Sequence, residues 1–311
     1  MKTLKYILLL FCCAFATLSF SQKKDKLQVV FAGKGFTEKG SESGTTTFLR
    51  DNQQQVHFVH NGVNLYCDKA VLYKKENFVE AFSNVRMVQG DTITMTAKYV
   101  EYSGKTELAF ARGNVVLTEP SSVLTTEKLH FDRIKQQAYY DVSGKVERDS
   151  SGTITSRIGR YYMPTKKYQF IDSVVLVNPD YTLKTKRLDF FNDSGHAYIF
   201  GPSTINGEGN DIYCERGFYD TKEDFGHFQR NAKINYDDRE VIGDSIYFDR
   251  ALNFASATNN IKVTDTINNS IFKGDYAEVW KAKDSVFITG RALAITVQEK
   301  DSIFIHSDTL M

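Results

Sequence analysis

Three Gly-Asp pairs, Gly90-Asp91, Gly243-Asp244 and Gly274-Asp275, offer the residue types that acid–base catalysis or calcium binding would use. Two of the three open a recurring segment, where a Gly-Asp turn into a strand accounts for them. Nothing signals a second carboxylate converging on either with a raised pKa. Among the six histidines (His57, His60, His130, His196, His227 and His306), only His57-x-x-His60 has a metal-like spacing, and no third ligand stands nearby. The lone Trp280 falls in an outward or edge phase, as packing rather than as a carbohydrate platform. No CxxC, zinc spacing or Walker motif is present. These residues predict no catalytic site, no metal site and no cofactor, so the expectation is a protein that is not an enzyme.

The elements carry more information than these residues do. Val79–Met87 and Ala109–Leu117 both alternate with period two: Val79, Ala81, Ser83, Val85, Met87 in one, Ala109, Ala111, Gly113, Val115, Leu117 in the other. Each reads as a strand whose apolar stripe narrows to a small residue two places before a valine. The stripe returns at Val85, Val115, Val146, Val174, Ile205, Ile234, Ile261 and Ala292. Ser83, Gly113, Gly144, Asp172, Ser203, Ala232, Asn259 and Gly290 precede those anchors by two. The fourth repeat admits two phases, Phe170-Asp172-Val174 or Ile171-Ser173-Val175-Val177. A second strand precedes most stripes, as in CDKAVLY at Cys67, TAKYVEY at Thr96, TEKLHF at Thr126, KTKRLDF at Lys184 and CERGFY at Cys214. A period of roughly thirty residues implies stacked supersecondary units, each a strand, a turn and a strand. Such a chain buries each unit on its neighbours and forms one elongated all-β domain.

Composition agrees. Hydrophobic residues at 41% and charged residues at 25% are globular values, and 17 tyrosines with 23 phenylalanines favour strands. A net charge of +1 offers no basic excess for phosphate backbones, so nucleic acid is not expected as a partner. Residues 1–21 read as a signal peptide: Lys2 and Lys5, an apolar run Tyr6–Phe15, then Ser19 and Ser21 before a cut at Gln22. Cys12 and Cys13 raise lipidation, but Phe11 and Cys12 before them are not the small residues such a site needs. Residues 22–47 read as a flexible lead or irregular first strand, and 48–311 as the domain, whose last repeat looks incomplete. An unfinished unit leaves an open sheet edge, which a partner or further chain would pair with. Export places Cys67 and Cys214 in an oxidising compartment, yet they hold the same motif position five repeats apart. At about 4.8 Å per strand step their sulfurs lie at least roughly 24 Å from each other, too far for a disulfide.

The pairing of a "polar-Asp/Glu-Lys-apolar-x-Tyr/Phe" strand with an "A-x-A-x-G-x-V-x-L" strand resembles the OstA-like family. It is clearest in Thr96–Tyr102 with Ala109–Leu117, and in Cys67–Tyr73 with Val79–Met87. The resemblance covers roughly Leu65 to Ile305. It implies a β-jelly roll open along one side and a place in the periplasm, on the path of lipopolysaccharide to the outer membrane. It also implies partners: the acyl chains of lipid A in the groove, and similar jelly-roll proteins end to end, an outer-membrane one included. The larger member's C-terminal outer-membrane barrel has no counterpart in this sequence. The candidate groove residues are Val85, Met87, Ala111, Val115, Leu117, Val142, Val146, Ile199 and Ile205, as lipid contacts. Two other readings compete. A β-solenoid acting on polysaccharide would show Asn or Ser ladders with clustered charges, and Asn259-Asn260 and Asn268-Asn269 are too sporadic. A repeat scaffold or adhesin would show calcium-type nonapeptides, which are absent.

Overall fold

The computed structural model describes residues 26–38, 44–148, 152–208, 210–236, 238–280, 285–298 and 301–311. The predicted signal peptide lies outside them. Eight strands lead up to the first long meander: β1 (Gln28–Phe31), β2 (Lys34–Thr37), β3 (Thr45–Leu49), β4 (Val56–His60), β5 (Val63–Cys67), β6 (Lys69–Tyr73), β7 (Phe78–Gln89) and β8 (Ile93–Ser103). Next come β9 (Leu108–Glu119), β10 (Ser122–Asp132), β11 (Gln137–Tyr140), β12 (Gly144–Arg148), β13 (Gly152–Ser156), β14 (Ile158–Tyr162), β15 (Lys167–Val177) and β16 (Tyr181–Phe191). The last eight are β17 (His196–Gly207), β18 (Asn210–Asp220), β19 (Phe225–Tyr236), β20 (Arg239–Asp249), β21 (Phe254–Asp265), β22 (Ser270–Trp280), β23 (Ser285–Val297) and β24 (Ser302–Leu310). A single 3-10 turn, Met163–Thr165, is the one helical element among the described residues.

All strands belong to one sheet and every pairing is antiparallel, as in a jelly roll and unlike the parallel coil of a β-solenoid. From β15 to β24 each strand pairs with the next in sequence. Tight turns suffice for this, and their residues show why. Asn77, Glu107, Gln136, Asp224, Asn253 and Asn269 take positive φ, while Asp132, Asp220, Asp249 and Asp265 accept backbone N–H groups of the turn that follows them. Ahead of the Phe48 boundary, β1 pairs with β4 and β2 with β3, so residues of the lead cap the first end of the sheet.

Every long odd-numbered strand breaks at its centre. Ser83-Asn84, Gly113-Asn114, Asp172-Ser173, Gly201-Pro202, Arg230-Asn231, Asn259-Asn260 and Gly290-Arg291 each set two residues against one on the adjacent strand. All but Pro202 have positive φ. These are β-bulges, which bend the strand and sharpen its twist. Aligned in one line, they fold the sheet into two wings that meet at a corner. Wing A holds residues such as 78–82, 99–103 and 108–112; wing B holds 85–89, 93–97 and 115–119. Where the chain is broken into short strands, β11 and β14 belong to wing A, β12 and β13 to wing B.

The bulges correct the sequence reading. The small residue before the anchor does not narrow the core: Ser83, Gly113, Asp172, Asn259 and Gly290 are where the backbone turns left-handed. Gly113 illustrates the requirement, since at φ +84° a Cβ would sit 2.8 Å from the Cβ of Lys98 on the facing strand. The true inward anchors after each corner are Val85, Val115, Gly144, Val174, Ser203, Ala232, Ile261 and Ala292, spaced 30, 29, 30, 29, 29, 29 and 31 residues apart. Val146, Ile205 and Ile234 are therefore one inward position farther along their strands. In the fourth repeat Phe170 and Val174 point inward, with Asp172 on the corner. Asp244 and Asp275 are corner residues opposite bulges, not turn residues; of the three Gly-Asp pairs only Gly90-Asp91 sits in a turn.

Candidate functional site: the interior between the wings

Two registered rows of side chains line the interior away from the corner. On wing B the row runs Met87, Met95, Leu117, Leu124, Val146, Ile154, Leu176, Leu183, Ile205, Ile212, Ile234, Val241, Val263, Phe272, Ala294. On wing A, Val79, Tyr102, Ala109, Phe131, Ala138 and Tyr161 lead into Tyr168, Phe190, Ala197, Tyr219, Gly226, Phe248, Ala255 and Val279. Over most of wing A a small residue on one strand stands beside an aromatic on the next. The "A-x-A" start of the stripe thus has a packing cause: its first alanine makes room for a neighbouring ring.

Through β16 this interior is sealed. Val85, Met87, Ala111, Val115, Leu117, Val146 and Ile199 are all buried in one cluster running from Leu27 to Ile199. Polar side chains at the strand ends tie the wings together on the side opposite the corner. His60 Nδ1 and Tyr102 Oη lie 2.8 Å apart; Arg133 donates to the Asn61 carbonyl and to Gln89. Ser122 Oγ and Tyr168 Oη are 2.7 Å apart beside Glu119, and Arg148 Nε donates to Asn192 Oδ1 at 2.9 Å. Burial in this seam raises the Glu119 carboxyl above its ordinary pKa and raises Tyr102, Tyr161 and Tyr168 as well. Tyr181 meets Tyr219 edge to face across the wings at 6.0 Å.

Beyond that pair the character changes. A second cluster, Cys214, Phe228, Ala232, Ile246, Ala257, Ile261, Val263, Ala277, Ile288 and Ala292, is buried, most of it near the corner. Farther from the corner, Ile205, Ile212, Tyr219, Ile234, Val241, Phe248, Phe272 and Val286 pack on that cluster yet stay only half-buried. Their wing B counterparts Met87, Leu117 and Leu176 are 3% exposed. The interior is thus a filled core at one end and an apolar trough at the other.

Of the nine sequence-derived residues, seven lie in the sealed core and Ile205 stands at the start of the trough. Val142 does not face inward: it lies in the bend between β11 and β12, on the corner, 39% exposed. The half-buried inward residues Ile212, Tyr219, Val241, Phe248, Phe272 and Val286 are not among the nine, although they recur at the same motif positions as the core residues. His57 and His60 point to opposite faces of β4: His57 bonds Asn64 and stacks on Tyr66 outside, whereas His60 is buried inside. Cys67 and Cys214 are free and buried, and burial lifts their thiols to about 12 and about 11. Trp280 faces outward, against Phe254 at 4.5 Å, with its Nε1 donating to Glu278.

Residues 39–186 match the family described as OstA-like protein. Among solved structures the chain is similar to LptH of Pseudomonas aeruginosa, described as the LptA-homologous periplasmic component of the conserved lipopolysaccharide transport device. Identity is 18%, over 44% of this chain and 82% of that one, with a TM-score of 0.23. No curated protein matches the chain.

Proposed function

We propose, from the match of residues 39–186 to the OstA-like protein family, that the chain is a periplasmic module of lipopolysaccharide transport that holds acyl chains in its trough. The observation that carries this reading is the continuous wing B row, sealed as far as Leu183 and, except at buried Val263, half-open from Ile205 onward. An acyl chain laid on the half-buried residues removes its own surface and theirs from water. Each methylene so covered contributes about 0.8 kcal/mol, enough to hold a chain without fixing its position along the row. Holding and sliding need no catalytic group. Exposed Ile303, Phe304 and Ile305 on β24 offer apolar surface that would suit a further strand-built unit end to end.

A photo-crosslinking residue placed at Ile234, at Val115 and at Asn114 tests the reading in living cells, with lipopolysaccharide detected by blotting. Adducts are expected at Ile234 and not at corner-facing Asn114 or core-buried Val115. Exported, folded protein without an adduct at Ile234 would sink the proposal.

A further inference from the structure

Arg148, unlike the other side chains of the seam, is not accounted for by closing it. It ends β12 on the interior side of wing B, next to Ser122 in register. Its Nε is bonded to Asn192, whose own amide donates to Ser121 Oγ at 2.6 Å, and its guanidinium lies 3.8 Å over the Phe190 ring. Its Nη1 is buried with no hydrogen-bond partner. The seam's carboxylate, Glu119, takes its bonds from Ser122 and Tyr168. A guanidinium has five N–H donors in a planar fork that fits carboxylate or phosphate, and it cannot escape burial by losing its proton at neutral pH. Burial lowers its pKa only to about 10. An unpaired donor on a buried cation is unfavourable until an anion meets it.

Its place gives the unpaired donor a direction. Arg148 lies close enough to Tyr168 and Tyr181 to interact with both electrostatically. Tyr181 packs edge-on against Tyr219, a half-buried residue at the start of the trough. The residue as a whole is only half-buried, so its guanidinium is not walled off on every side.

We propose that Arg148 is the anion-binding residue of the trough, pairing through Nη1 with the phosphate of a lipid whose chains lie against Ile205, Ile212 and Tyr219. The proposal rests on the lipid-carrying reading above.

The test is calorimetric titration of the purified exported chain with decyl phosphate, with decanol and with inorganic phosphate. Decyl phosphate is expected to bind about tenfold more tightly than decanol, the scale of one charge-assisted hydrogen-bonded pair. Arg148→Met should bring the two affinities together, and Arg148→Lys should keep part of the preference. The lysine variant keeps the test decisive if the methionine variant misfolds, which circular dichroism would reveal. Equal affinities in the parent chain, or a preference that survives Arg148→Met, would overturn the proposal while leaving the trough intact. If neither amphiphile binds but inorganic phosphate does, through Arg148, the site is one for a free anion. The lipid reading then falls with the proposal.

Discussion

Glu119 carries a buried carboxyl whose protonation pH can report. Burial raises its pKa, so the folded chain favours the protonated form. Its contribution to stability is fully present below the ordinary carboxyl pKa and is lost as pH rises through the raised one. Glu119→Gln keeps an acceptor for Ser122 and Tyr168 but has no proton to lose. The variant should unfold at a higher temperature than the parent at pH 7 and show no gap at pH 4. A parent chain equally stable at both values relative to the variant would contradict this. A second contrast separates core from trough. Leu129→Ala, at a fully buried position, should cost about 2–5 kcal/mol in urea unfolding. Ile234→Ala, in the half-buried row, should cost no more than about 2 kcal/mol but weaken acyl-chain binding. The stripes of both residues were legible in the sequence. Which inward residue faces open space was not, because half-buried Ile234 and buried Leu117 occupy the same position of different repeats.

The strands and their turns were readable because alternation and Asn, Asp and Gly punctuation are local signals. The corner was not, because its residues share a backbone conformation rather than a residue type. Ser-Asn, Asp-Ser, Arg-Asn and Gly-Pro all perform the same bend. Side chains then hold it: Asn84, Asn231 and Asn260 donate to Asp68, Glu215 and Asp244, while Arg157 pairs with Asp172 and Arg291 with Asp275. These exposed contacts add little energy each and mainly fix the line of the fold. The backbone conformation itself matters more. Gly113→Ala should cost about 1–3 kcal/mol in urea unfolding, since it meets both a positive φ and the Lys98 side chain. Lys98→Gly, which removes the Cβ nearest the new methyl, should recover part of that loss relative to Lys98→Gly alone if the clash contributes, and none if the backbone strain alone is responsible.

Across the whole molecule, the polar seam decides where the interior is accessible. His60, Gln89, Arg133, Arg148 and Tyr168 lie at strand ends, distant in sequence from the residues they meet on the other wing. No periodicity announces such pairs, which is why a uniform repeat could not reveal a filled half and an open half. The seam also makes the sealed section a wall against which the trough begins, with Tyr181 and Tyr219 at the boundary.

Each repeat carries its own corner, so register is restored within every thirty residues and no error passes to the next unit. The molecule is therefore a ruler that can be cut to length. One repeat is two strands, about 9.6 Å along the stack. Excising residues 196–224, from the start of β17 to the turn before β19, would join β16 to β19 across an equivalent turn. The shortened chain should remain folded, with the same circular dichroism per residue, and solution scattering should find it shorter by about that one step. A chain that fails to fold after the excision would mean that neighbouring repeats are not interchangeable. A chain that tolerates it would make distance, rather than chemistry, the property that repeat number sets.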